Sequence, residues 1–448
     1  MSLTSTKSTS DLRTRLSNAL GIDVDAANTT ARPYLTYVIN NLVGRGQSED
    51  SAELFVYVVQ HFKQVTGGQT ARKSVQMLFD EVAGLRPQIL AWDTAAGGNP
   101  QPEAVEDKIM CMLGIWCTML SSFESVFVGS STRQTKRSRK VVLAYDAFAA
   151  NATPPKNAYD GSLAELILGS ELLPCGIWDQ CKGSQGDAAT RLIGLLPHAG
   201  SNQGQAAQHQ TLPTRHPLPY MPNDASYDLL DIMDAAESLS IEVTRLNAFT
   251  LNVLGSVHIL WTQNASRHML LTKLSGRPTL ELFSLPCALQ HMKVEDVGIS
   301  VALAQEIRES YAFLFNPWPK LPLHSKLGAV LGIPKLCWCR PCSARRYQCR
   351  SIVACKGLAA DEFDSFLEDL GKKRPRPEWN PEQFPHLWLR IHLLDQHLST
   401  SRPWNFWVLF RDRRDSMPFW TFLFASIVVL LTVVQVFLGV AQVVGSFR

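Results

Sequence analysis

Between residues 416 and 447 there is no Asp, Glu, Lys, Arg or His. The plainer alternative to a membrane span is a buried core helix, and core helices rarely run so long without an ionisable residue. Other absences narrow the function classes. The opening segment MSLTSTKSTSDLRTRLSNAL holds no run of seven or more apolar residues, and a secretory leader is not expected there. No G-x-x-x-x-G-K-[ST] loop and no G-x-G-x-x-G fingerprint occurs, so neither standard phosphate cradle is signalled. No internal repeat is apparent. Charge is sparse at 19%, and a net charge of +3 over 448 residues gives no basic excess for a nucleic-acid partner. The ten cysteines follow no regular framework and are expected as reduced thiols in a cytosolic compartment.

What fills the uncharged stretch is apolar. Phe419 to Val440 supplies 22 residues rich in Val, Leu, Ile and Phe, and about 20 suffice to cross the hydrocarbon core as a helix. Arg402, Arg411, Arg413 and Arg414 precede it and only Arg448 follows, which by the positive-inside bias places the N-terminal side in the cytosol. Trp404, Phe406, Trp407, Phe419 and Trp420 suit the headgroup level. With eight residues after Val440, the expected layout is that of a tail-anchored protein. A shorter stretch, Ile109 to Phe123, is 15 residues long and too short to cross untilted, so a core helix is the preferred reading over a second span.

The span also has a pattern. Thr421, Ala425, Val428, Thr432, Gln435, Gly439, Gln442 and Ser446 recur at spacings of four and three, which is one helix face. Small residues permit close backbone approach in lipid, and glutamines can hydrogen-bond across a helix seam. Thr432, Gln435, Gly439 and Gln442 are therefore the expected contact residues for self-association or a partner helix, against the plainer reading of a simple anchor.

The rest of the chain divides by composition. Residues 1–197 read as a helical N-terminal domain. Leu12, Leu16 and Leu20 follow Ser10, a candidate N-cap; Leu35, Val38, Ile39 and Leu42 form a second set, Leu54, Phe55, Val58, Val59 and Phe62 a third, and Val75, Leu78, Phe79 and Val82 a fourth. A basic run at Lys136 to Lys140 is read as a solvated loop. Residues 198–224, rich in Gln, Pro and His, read as a flexible linker. Residues 225–400 read as an α+β domain. It has a helix around Tyr227 to Leu246, two β-rich runs (SVHILWTQ and PTLELFSL) forming a small antiparallel sheet, and turn chemistry at Ser275 to Pro278. A late helix carries Leu387, Ile391, Leu394 and Leu398 on one face. Residues 401–418 form a juxtamembrane aromatic and basic segment, 419–440 the span, and 441–448 a short tail. The expected fold class is thus mainly α with a small antiparallel β element and one C-terminal transmembrane helix.

The segments RLNAFTLNVLGSVHILWTQNASRHMLLTK, LELFSLPCAL, YAFLFNP and PWNFWVLFRDRRDSMPFWTFLF resemble a group of functionally uncharacterised filamentous-fungal proteins with a C-terminal membrane span. The resemblance runs from about Ser226 to the end. It implies the anchor and a fungal context, and brings no catalytic residues with it.

Candidate chemistry is thin. Cys337, Cys339, Cys342, Cys349 and Cys355 are spaced C-x-C-x₂-C-x₆-C-x₅-C. That provides thiols enough for zinc but only one regular knuckle, so structural thiols or S-acylation are preferred to a metal site. Lys335, Arg340, Arg345, Arg346, Arg350 and Lys356 share the stretch with no acid before Asp361. They fit either anionic lipid, with Arg340, Arg345, Arg346 and Arg350 as contacts, or a solvated loop. His386, His392 and His397 do not share a helix face, and Ser266 near His268 lacks a third group. No catalytic, cofactor-binding or metal residue is assigned. N-glycosylation sequons at Asn28, Asn151 and Asn264 are expected to stay unmodified in a cytosolic body. These features suit a tail-anchored endomembrane protein with an interaction or scaffolding body. The alternatives are a membrane-associated enzyme without a recognisable motif, and a zinc-knuckle interaction module.

Overall fold

The computed structural model describes residues 4–43, 49–63, 73–85, 102–123, 159–169, 172–174, 240–274, 276–318, 340–356, 364–401 and 416–446. The expected linker, the basic run at 136–140, Cys337, Cys339 and most of the juxtamembrane segment lie outside them. Within them the chain is mainly helical with small sheets.

The N-terminal part is built from α1 (Thr4–Leu20), α2 (Val24–Asn28), α3 (Arg32–Val43), α4 (Glu49–Lys63), α5 (Val75–Leu85) and α6 (Pro102–Trp116). The periodic leucines and valines face inward as spaced: Leu16, Leu35, Val38, Phe55, Val58, Val75 and Leu78 are wholly buried. Ser10 lies inside α1 rather than capping it, because the helix begins at Thr4. The stretch Ile109 to Phe123 forms the end of α6 and a 3-10 turn at Leu120–Ser122, with Ile109, Met110, Leu113 and Met119 buried against the other helices. It is a core element.

The second part opens with β1 (Ile241–Glu242), which pairs antiparallel with β5 (Glu378–Trp379). The helix expected over Tyr227 to Leu246 is therefore absent from 240 onward. There the chain extends and turns, and Asn247 caps α8 (Ala248–Val253) through a capping box with Thr250. The main sheet contains β2 (His258–Thr262), β3 (Leu270–Leu274) and β4 (Arg277–Phe283) in the order β2-β4-β3. It is mixed, not antiparallel: β3 and β4 form a hairpin, while β2 runs parallel to β4. The two β-rich runs pair in parallel because the extra strand β3 reverses the chain between them. Central β4 is buried on both faces from Thr279 to Phe283.

Helix α9 (Ala288–His291) and a 3-10 turn at Val294–Val297 lead to α10 (Val301–Phe315), capped by Ser300. Then follow α11 (Arg340–Lys356), α12 (Ser365–Lys372) and α13 (Trp388–Thr400). Leu387, Ile391, Leu394 and Leu398 are buried along α13, as their spacing predicts. Its N-terminus is closed by buried Glu306, whose carboxylate accepts the amides of His386 and Leu387 and sits 2.6 Å from His386 Nδ1. Phe313, Trp379 and Phe384 pack with ring centroids 4.6 to 5.1 Å apart.

The two parts share one hydrophobic core. Thr118 carbonyl accepts the Ala265 amide at 2.9 Å, and Asn264 Nδ2 donates to Ser121 Oγ and Ser122 Oγ. Helix α7 (Leu163–Gly169) packs on the 294–297 turn, where Gly298 has φ +71° and an added Cβ would stand 2.8 Å from the Ala164 carbonyl oxygen. Helix α14 (Ser416–Ser446) closes the order. Its 20 residues Phe424–Val443 have a mean hydropathy of 2.5, and none of that window is buried. It is the one helix among the described residues long and apolar enough to cross a membrane.

Candidate functional site

Two polar assemblies stand out, one sealed and one open. The sealed one surrounds β4. Glu281, 3% exposed, is held bidentately by Arg267 and also accepts from Thr272 Oγ1. His268 is wholly buried; its Nδ1 accepts the Phe283 amide at 3.2 Å, which fixes the proton on Nε2 and directs it to Ser310 Oγ at 2.8 Å. Ser310 in turn donates to the Ile307 carbonyl. Both ring nitrogens are thus occupied. Burial first, and the nearby Arg390 charge second, push its pKa down to about 3. Ser266, adjacent in sequence, instead donates to Asn264 Oδ1 at 2.7 Å. The serine and histidine that stand together in sequence are parted in the fold, and His268 has no lone pair left for a substrate proton. This assembly holds β4, α10 and α13 together.

The cysteine segment is helical from Arg340, contrary to the loop reading. Among its described side chains the fully buried ones are Cys342, Ser343, Ala344 and Ser351, which form no stripe of large aliphatics. Cys342 is buried while Cys349 is exposed. Seven helical residues separate them by about 10 Å along the axis. Thiolates on one tetrahedral zinc, with Zn–S near 2.3 Å, must lie within about 4 Å of each other. Those two cannot share a metal, and among the described residues no group of three His, Cys, Asp or Glu is placed to hold one. Of the three histidines on the late segment, His386 faces Glu306 and His397 Nε2 lies 3.0 Å from the Gly255 carbonyl. His392 makes no common site with them. Buried Cys117 has its pKa pushed up to about 12, and desolvation raises that of Cys287 well above the ordinary thiol value, so both remain inert thiols.

The open assembly is a cleft of about 200 Å³ where the end of α10, the start of α11 and the end of α12 meet. Phe315, Trp318, Pro341, Arg345, Gln348 and Lys372 are among its walls. Gln348 Nε2 donates to the Gly371 carbonyl at 3.2 Å, and Asn316 Nδ2 donates to the carbonyls of Lys372 and Lys373. Arg345 and Arg350 are exposed on α11, and Lys373, Arg374 and Arg376 are exposed directly after α12. The run GKKRPRP was missed in the sequence because the acidic stretch from Asp361 to Asp369 separates it from the arginine cluster. The Gln348–Gly371 hydrogen bond joins the two directly, and Phe315 and Asn316 at the end of α10 line the same cleft. Arg346, which reads as one of that cluster, is turned toward Ser343 Oγ at 3.1 Å.

Compared with known protein families, curated proteins and solved structures, the chain matches none of them. The fungal resemblance rests on its quoted segments alone.

Proposed function

We propose that this is a membrane-anchored interaction or scaffolding protein, held by α14 with its folded body on the cytosolic face of an endomembrane. The observation that carries the reading is the exposure of α14. Phe424, Leu430, Phe437 and Leu438 are each more than 60% exposed along a helix with no ionisable side chain. Water tolerates no such continuous apolar surface, whereas a bilayer solvates it. The tail-anchored layout, the single pass and the anionic-lipid contacts of the α11 arginines belong to the same proposal. So does pairing of the span through Thr432, Gln435, Gly439 and Gln442.

Two observations support the cytosolic side. Arginines cluster before the span. In addition, Asn264 heads a sequon yet is 3% exposed, and its Nδ2, the atom a glycan would occupy, is spent on Ser121 and Ser122. A bulky glycan at that atom is incompatible with the core. Such a body suits a compartment without glycosyl transfer.

The test is extraction and protection on intact microsomes. The protein is expected to resist alkaline carbonate and to lose its body to added protease. Release by carbonate would refute anchoring, and a protected body would refute the orientation.

A further inference from the structure

Two basic runs that are remote in sequence converge on one cleft. Arg345 on α11 and Lys372 at the end of α12 both line it, and Lys373, Arg374 and Arg376 continue outward from its edge. Lys372 is balanced by Glu368 at 3.1 Å and Asp369 at 3.7 Å. Arg345, Arg350, Arg374 and Arg376 have no acidic partner among the described residues. The carbonyls that would repel an anion, at Gly371, Lys372 and Lys373, already accept hydrogen bonds from Gln348 and Asn316. Pro341 brings the first turn of the 17-residue α11 to the cleft, adding the positive end of its dipole. Half-buried Trp318 offers an amphipathic ring at the same wall.

From this convergence we infer that the cleft receives the phosphate of an anionic lipid headgroup and seats the body on the membrane that α14 spans. The inference rests on the anchored reading. Only residues 401–415 separate α13 from α14, and 15 residues reach at most about 54 Å when fully extended. The cleft is thereby tethered near a bilayer at high effective concentration, which nucleic acid is not. A flexible arginine and lysine rim on a shallow cleft suits a headgroup that must be reached without being enclosed.

Cys349 provides the reporter. It is exposed one helical turn beyond Arg345, so a bilayer seated on the cleft shields it, while buried Cys342 on the same helix monitors folding. The full chain would be placed in nanodiscs of phosphatidylcholine alone, or with about a third phosphatidylserine or phosphatidylinositol phosphate, and alkylation by an uncharged polar maleimide followed peptide by peptide. Cys349 labelling is expected to slow about fivefold in anionic discs and to recover in Arg345→Glu/Arg374→Glu, with Cys342 slow throughout. Arg345→Gln/Arg374→Gln, which removes charge without reversing it, is expected to recover most of the rate if the doubly reversed variant labels at Cys342. Equal Cys349 rates in both discs, with the protein incorporated, would overturn the cleft proposal and leave the anchor standing. Failure to enter discs at all would overturn both. Slowing in neutral discs by inorganic phosphate, or by an RNA oligonucleotide, without slowing by anionic lipid would show that the cleft serves another anion and would likewise overturn it.

Discussion

His268 shows how one buried side chain sets the acid limit of the fold. Its ring accepts from Phe283 and donates to Ser310, an arrangement available only to the neutral form. The folded value near 3 lies below the ordinary 6.5, so the unfolded chain binds more protons in between. The stability due to this group is full above about pH 6.5 and is lost as pH falls toward 3. His61, His291, His392 and His397 are shifted the same way, each chiefly by burial, so their losses add in the upper part of that window. Each histidine forced to charge contributes at most about 1.4 kcal/mol per pH unit. Thermal midpoints in detergent are therefore expected to fall between pH 6.5 and 4. His268→Gln keeps a donor for Ser310 but leaves the Phe283 amide unpaired. It should cost about 1–3 kcal/mol at pH 8 and flatten the acid slope. An unchanged slope would remove His268 from this role.

At the scale of elements, legibility followed the physics of burial. α1, α3, α4, α5 and α13 each bury a strip of large aliphatics at helical spacing, and that strip is visible in the sequence. Among its described side chains α11 buries Cys342, Ser343, Ala344 and Ser351 and packs Tyr347 on Phe249, which is no strip of large aliphatics at helical spacing. β1 and β5 are two-residue strands whose partners are remote in sequence, and β3 hides beside a turn; none has a local signature. The candidate cleft is half legible, since the arginines of α11 stand out as a cluster in the sequence while their partners after α12 do not. A glycine carries one of the joins. At Gly298 the left-handed backbone and the nearby Ala164 carbonyl both exclude a side chain, so Gly298→Ala should cost about 1–3 kcal/mol and loosen α7. Protection of the α7 amides from hydrogen exchange would check that. α14 has its own internal division of labour. Thr432 Oγ1 donates back to the Val428 carbonyl at 2.8 Å, so Gln435 and Gln442 are the groups on that face able to reach another helix, beside bare Gly439. Gln435→Leu with Gly439→Leu is expected to abolish cross-linking between spans, while Val433→Leu and Val436→Leu should leave it intact. Equal behaviour of the two pairs would reduce the helix to an anchor.

On the scale of the whole molecule, the join between its two parts and its placement in the cell are one problem. Asn264 sits where the turn after α6 meets the sheet, and its amide donates to Ser121 and Ser122 while its carbonyl oxygen accepts from Ser266. Glycosyl transfer acts on an unfolded chain as it enters the lumen, before any of these bonds exist. A body directed there would carry a glycan at the centre of its own core and could not close the join. Asn28 is exposed on α2 and would accept a glycan without harm, so glycosylation as such is not the obstacle. The decisive comparison adds a cleavable leader that forces the body into the lumen, with and without Ser266→Ala. That substitution destroys the Asn264 sequon and gives up one hydrogen bond, worth about 1 kcal/mol. The unsubstituted lumenal body is expected to be glycosylated at Asn264, sensitive to protease and rapidly degraded. The Ser266→Ala body should keep its other glycans and fold to a protease-resistant core. If the form glycosylated at Asn264 folds equally well, the packing at that residue does not constrain which side of the membrane the body can occupy.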